Sequence, residues 1–287
     1  MPTRVDHVII AGPDLDALEE SFTRMGFHVT GGGEHPHLGT RNRIIILDES
    51  YIELLAVAGP DRASTALQRF IAGGGGWIGY ALQSSDIAAE TATMRARGVD
   101  ARGPTPGSLV APDGSARGWR VTMIGSDDIW EAAFPLPFLI QHDTTGQTHR
   151  HELAGPGGLA PHPNGASHLM SVRITCLDGI ALARRYQNAY SLPGSVTRTE
   201  YEGIETASGS LALDSGESIQ IVQPPNPAAI PVLAERGAVM TVRLRIGNPR
   251  AIEDLNWHSS VATTRTARTL IVRVPGVNAE IEYTASR

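Results

Sequence analysis

Apolar and polar positions follow one pattern four times along this chain. Residues 5–11, VDHVIIA, make a β-branched apolar run that reads as a buried strand. The period then changes: Leu15, Leu18, Phe22 and Met25 recur at three- and four-residue intervals, which places them on one stripe of a helix. Asp14 stands just ahead of that stripe, where its carboxylate can accept the unpaired N–H groups of a first turn. Gly26 stands just past it, where a left-handed residue closes a helix. Strand patterns follow as FHVTG, NRIIILDE and YIELLAV, with Asp48-Glu49-Ser50 as a polar turn between the last two.

The same order returns in GWIGYALQSSDIAAETATMRARGV, in HLMSVRITCLDGIALARRYQNAYSL and in AVMTVRLRIGNPRAIEDLNWHSS. Asp86, Asp178 and Asn248 are the matching caps, and Gly98 takes the place of Gly26. The third copy continues into GSLALDSGESIQIV, with Asp214-Ser215-Gly216 at a hairpin turn, and the fourth ends TLIVRVPGVNAEIEY. Each unit reads as strand, helix and three strands, so the fold class is α+β, with four βαβββ modules. The caps lie about 70 residues apart, except between the second and third units, where the spacing is about 90. The surplus coincides with residues 142–167, rich in Gly, Pro, His and Thr and poor in apolar periodicity, which read as a surface linker. The expected division is therefore a first domain over 1–142, a linker over 143–165 and a second domain over 166–287.

Composition narrows the function classes. At 287 residues, 41% hydrophobic and 19% charged, the chain has ample capacity for a core. A formal net charge of -6 and a pI near 5.9 supply no basic field, so neither nucleic acid nor an anionic membrane is expected as a partner. Cys176 is the sole cysteine, which excludes an intrachain disulfide, and within VRITCL it reads as a packed small hydrophobe rather than a nucleophile. MPTRVDH has no apolar signal core and no run approaches the roughly 18 apolar residues of a membrane span, so a cytoplasmic location is expected. Glycine loops leading to Lys-Ser/Thr, nucleophile elbows and zinc-finger cysteine spacings are absent.

His7 interrupts the apolar slots of the first strand, and Glu53 does the same in YIELLAV. A lone strand histidine is more often a hydrogen-bonded core residue than a ligand, and Glu53 has Arg41 or Arg43 as alternative partners. Paired βαβββ units, however, are the mark of the vicinal oxygen chelate superfamily, which includes glyoxalase I, extradiol dioxygenases and bleomycin-binding proteins. The chain resembles it along nearly its whole length, and VDHVIIAGPDLDALEESF, GGGEHPHLGTRN and YIELLAV resemble the bacterial glyoxalase-like proteins in particular. The resemblance implies two tandem glyoxalase/dioxygenase-like domains with cupped mixed sheets, and a divalent metal inside a cup. It puts first-strand ligand slots at His7, Gly79, Ser171 and Thr241, and last-strand slots at Glu53, Gln141, Gln220 and Glu282. Only the first domain then offers a ligand set, His7, Glu53 and Gln141, for Zn, Ni, Mn, Fe or Mg; the second lacks the imidazole a transition metal prefers. His142 replaces Gln141 if the register is off by one.

GGGEHPHLGTRN, residues 31–42, reads as a loop at the mouth of the first cup. A functional reading makes His35 a proton-transfer residue and Asn42 a hydrogen-bond donor to a substrate carbonyl; the alternative is a solvated turn with local hydrogen bonds, which is the reading adopted for His37. His149 and His151 read as exposed linker, Trp119, Trp130, Phe134 and Phe138 as core or cup-wall aromatics, and Gly73 to Gly76 either as a close approach to the cup or as a connector. The expected activity is that of a metal-dependent isomerase, epimerase or lyase on a small oxygen-rich metabolite. The alternative is a protein that sequesters a drug or metabolite without chemistry, and a homodimer is left open.

Overall fold

The computed structural model describes residues 2–111, 113–125, 136–201, 203–246, 263–265 and 269–285. Asn248, Trp130 and Phe134 lie outside them. The first half holds β1 (Val5–Ala11), α1 (Leu15–Arg24), β2 (Thr30–His35), β3 (Thr40–Ile46), β4 (Tyr51–Val57), α2 (Thr65–Ala72), β5 (Gly76–Gln83), α3 (Ile87–Ala96), β6 (Ala101–Val110), β7 (Ala116–Ile124), β8 (Phe138–His142) and α4 (Gly146–Ala154). The second holds β9 (Ala166–Cys176), α5 (Gly179–Tyr190), β10 (Gly194–Tyr201), β11 (Ile204–Ala212), β12 (Ser218–Gln223), α6 (Pro231–Arg236), β13 (Ala238–Ile246), β14 (Thr263–Arg265), β15 (Thr269–Arg273) and β16 (Glu280–Ala285). The expected caps form: Asp14 accepts from the N–H groups of Asp16 and Ala17, Asp86 from Ala89 and Asp178 from Ala181. Gly26 and Gly98 take the left-handed conformation that ends α1 and α3.

Both sheets follow one plan. In the first, β1 pairs parallel with β4, β5 parallel with β8, and β1 antiparallel with β5, closing a barrel in the order β1-β4-β3-β2-β6-β7-β8-β5. In the second, β9 pairs parallel with β12, β13 parallel with β16, and β9 antiparallel with β13. Each module thus returns its last strand beside its first, which is why those two strands supply inward-facing chemistry together.

One apolar core serves both halves. Val5, Val8, Phe22, Tyr80 and Leu82 belong to the same buried cluster as Val172, Tyr186, Tyr190, Val242 and Tyr283. Polar ties cross the same contact: the Tyr80 hydroxyl donates to that of Tyr186 at 2.8 Å, the Trp77 indole N–H to the Glu280 carbonyl at 2.9 Å, and the Tyr190 hydroxyl to the Pro137 carbonyl. The glycine run 73–76 lies in this contact rather than in a cup or a free connector. A side chain at Gly76 would meet the Asn278 carbonyl at 2.3 Å, and one at Gly75 the Ala11 carbonyl at 2.4 Å. Cys176 is buried, and burial pushes its thiol up to about 11.

Two local expectations change. Residues 31–35 are part of strand β2, so only residues 36–39 of GGGEHPHLGTRN form the turn. Gly31 and Gly32 allow this because both have positive φ, and β2 slips register between Thr30 and Gly33. The segment 143–165 also carries α4, whose Leu153 and Ala154 are buried beside β2 and β3.

Candidate functional site

A register irregularity in β1 sets up the site. Pairing with β5 jumps from Val5 opposite Leu82 to His7 opposite Ala81, so Asp6 is an extra residue and both Asp6 and His7 are buried. The Asp6 carboxylate (5% exposed) takes the His7 Nδ1–H at 2.7 Å and lies 3.1 Å from His142 Nε2. Burial alone would raise the Asp6 pKa, but the charge and hydrogen bonds of His142 and His7 outweigh it and hold the carboxyl far below its ordinary range. An ionised Asp6 accepts from Nδ1, which fixes the His7 ring and turns Nε2 toward the cavity.

That Nε2 faces Glu53 Oε2 at 3.7 Å. From the other side His35 Nε2 lies 3.8 Å from Glu53 Oε1, its Nδ1 being 2.9 Å from the Thr40 hydroxyl. Glu53 (7% exposed) accepts the Asn42 amide at 2.6 Å, whereas Arg43, an expected partner, binds Glu19 instead. Burial, joined by His7 and Arg117 and opposed by Glu53, lowers the His35 pKa and favours the neutral imidazole. Tyr51 stacks on His7 with ring centres 4.6 Å apart; burial, with Asp6 and Glu53 nearby, pushes its phenol up.

These groups line a cavity of about 510 Å³ in the barrel, a volume suited to a small organic molecule. Trp119, Val121, Met123, Phe138, Ile140 and Leu153 provide apolar wall. His149 lines it as well, contrary to its expected place on an exposed linker, because α4 packs against the barrel; its ring centre is 4.0 Å from that of His142. Burial, with His142 beside it, lowers the His149 pKa to about 4. His151 is exposed.

The structure therefore brings His7, Glu53, His35 and Asn42 together but leaves Gln141 out. In the β7–β8 ladder His142 sits opposite Trp119 and shares its cavity face, so Gln141, opposite the exposed Arg120, points the other way. Its Oε1 accepts the Ile87 N–H at 3.0 Å and its Nε2 donates to the Ser85 carbonyl at 3.2 Å, tying β8 to the start of α3. One N–H of the Asn42 amide is engaged by Glu53, and its Oδ1, an acceptor, is buried without a partner. Asp6, Arg117, Tyr51 and His149 were missed from the pattern, and only the adjacent Asp-His pair in β1 carried a signal. In the second half Ser171 is buried without a partner for its hydroxyl. Glu282 is clamped by Arg243 at 2.7 Å and Arg173 at 3.1 Å, with Gln220 on Arg173 at 3.2 Å, so guanidinium groups engage the carboxylate there.

A model of the glyoxalase-like domain family matches residues 5–190. The chain belongs to that family. This glyoxalase-like protein is similar over 98% of its length to 99% of a hypothetical protein from Staphylococcus aureus, with a TM-score of 0.67 and 16% identity. It is similar over 99% of its length to 92% of a triple mutant of 4-hydroxymandelate synthase from Streptomyces coelicolor, with a TM-score of 0.64 and 13% identity. At those identities the likeness is one of fold. No curated protein sequence matches it, and no helix among its described residues is long and apolar enough to cross a membrane.

The superfamily it resembles implies a divalent ion, and the donors present can be tested for one. Neighbouring donors at about 2.0–2.1 Å from one first-row ion stand about 2.9–3.4 Å apart. The separations about Glu53 are 3.7 and 3.8 Å. Position 79 supplies no side chain, Gln141 is turned away, and among the described residues no three His, Cys, Asp or Glu are disposed to hold a metal ion. The residues do not fit the expected three-ligand centre.

Proposed function

We propose that the protein is an enzyme whose first barrel moves a proton on a small oxygen-bearing metabolite, in the manner of an isomerase, epimerase or lyase. Residues 1–142 form the working module, 143–165 its connector and closing helix, and 166–287 a module whose own site is degenerate. The supporting observation is the arrangement about Glu53. A buried carboxylate stands between two imidazole Nε2 atoms at 3.7 and 3.8 Å, too far to bond to either and open to the cavity between. Three groups that carry or accept protons thus face one space a substrate can enter. Glu53 takes a proton from a carbon next to a substrate carbonyl, the electron pair moving onto the carbonyl oxygen. Epimerisation follows when the carbon is reprotonated on its opposite face from His35 Nε2, and isomerisation when that proton is delivered to a neighbouring atom instead, the proton on Glu53 then restoring His35. Asp6 holds the His7 ring, and Asn42 holds the Glu53 carboxylate in place.

The test needs no knowledge of the product. Incubation in D2O with a panel of hydroxy- and keto-compounds, read by proton NMR, reports carbon exchange directly. Exchange of at least one panel member is expected, reduced 100-fold or more in Glu53→Gln, since positioned acid–base groups contribute roughly 10²–10⁴ in rate. It is expected to survive chelator treatment and to be unchanged by added Zn, Ni, Mn, Fe or Mg. Exchange restored only by an ion would reinstate a cation at His7 and Glu53. Tight binding of panel compounds without any exchange favours the second reading, a sequestering protein, which the apolar cavity wall supports.

A further inference from the structure

We infer that the substrate of this site carries a carboxylate, received by Arg117, and a hydroxyl, received by Asn42, on an apolar body. The inference rests on the proton-transfer reading of the barrel and adds the chemical shape of what enters it.

Arg117 is placed by strand alternation: Arg117, Trp119, Val121 and Met123 all line the cavity from β7. One terminal nitrogen donates to the Gly32 carbonyl at 3.0 Å, which fixes the side chain, while Nε is buried without a partner. No carboxylate among the described residues forms an ion pair with it; Glu152, Asp113 and Glu53 act on the half-buried guanidinium only from a distance, and its Nε keeps no partner. Burial lowers its pKa. The guanidinium fork matches a carboxylate in geometry and charge. A phosphate dianion fits worse, because the Glu53 carboxylate lines the same cavity.

Asn42 supplies the second requirement. One N–H of its amide nitrogen is held by Glu53, so its orientation is set and the buried Oδ1 waits for a donor. A ligand hydroxyl would supply the partner that this buried acceptor lacks. Between them, Trp119, Phe138 and Tyr51 offer aromatic faces for the apolar body.

The experiment is calorimetric titration with 3-phenyllactate, its amide and 3-phenylpropionate, which lacks the hydroxyl. For the wild type, the hydroxy acid is expected to bind at least 10-fold more tightly than the amide and at least 3-fold more tightly than phenylpropionate. In Arg117→Met the preference for acid over amide should fall below 2-fold with amide affinity retained. Arg117→Lys, which keeps charge without the fork, should keep a preference between those values. Equal binding of acid and amide by the wild type, a preference that survives in Arg117→Met, or no binding of any of the three overturns the inference. Carbon exchange of an uncharged compound, lost in Glu53→Gln, would leave the proton-transfer reading standing while this inference fell.

Discussion

At the scale of single residues, the site is a matter of which side chains are denied water and what each receives in return. His149 receives little: its pKa is lowered to about 4 by burial and by His142 beside it. A histidine held neutral binds its proton less readily folded than unfolded. The stability it contributes is complete above the ordinary value of 6.5 and is lost as the pH falls from there toward about 4. His149→Asn should therefore flatten the decline in urea-unfolding free energy across that window, and an unchanged slope would count against a buried neutral imidazole. His7 and Glu53 were legible in the sequence because each is a polar residue in an otherwise apolar strand. Asp6 was not, because strict alternation would turn it outward and only the bulge brings it in. Arg117 was overlooked, although it shares the alternation of Trp119, Val121 and Met123 in ARGWRVTMI while Arg120 falls on the other face.

At the scale of elements, Gln141 shows how one residue of register exchanges a chemical role for a structural one. FLIQH is read correctly as a last strand, but its cavity side carries His142, and Gln141 completes the N-terminal turn of α3 with Asp86. Gln141→Ala should cost about 1 kcal/mol of stability, as for loss of a helix cap. It should leave carbon exchange and ligand affinity within 2-fold of the wild type. A large loss of exchange with stability intact would return Gln141 to the catalytic machinery. Capped helices and the strands after them were legible because Asp caps, apolar stripes and terminal glycines agree with one another. Helix α4 was not, since GQTHRHELA has a weak stripe and buries only Leu153 and Ala154; its helical state follows from docking on β2 and β3. That docking depends on Gly31, where a side chain would stand 1.8 Å from the Leu153 carbonyl.

At the scale of the whole molecule, the repeated plan was legible and the asymmetry between its halves was legible only in part. The missing imidazole of the second half can be read from Ser171 and Thr241. The arginine clamp on Glu282 depends on Arg173 and Arg243 facing the same side as Glu282, which only the register of β9, β13 and β16 reveals. Glu282→Gln should cost about 2–3 kcal/mol, below the roughly 3–5 kcal/mol for breaking a fully buried ion pair because both arginines keep some solvent. Ligand affinity in the first barrel should be unaffected; a comparable loss of affinity would show that the two sites communicate.

The tyrosine contact between the halves carries a last consequence. Tyr80 and Tyr186, Tyr190 and Pro137 are joined across the duplication, and the family match runs on to Tyr190 rather than stopping where the first barrel closes. A chain severed between α4 and β9 would strip each fragment of apolar cover and leave the phenols of Tyr80, Tyr186 and Tyr190 without their partners. Neither half should then solidify without its twin, for each lends the lining that the other's sheet leaves bare.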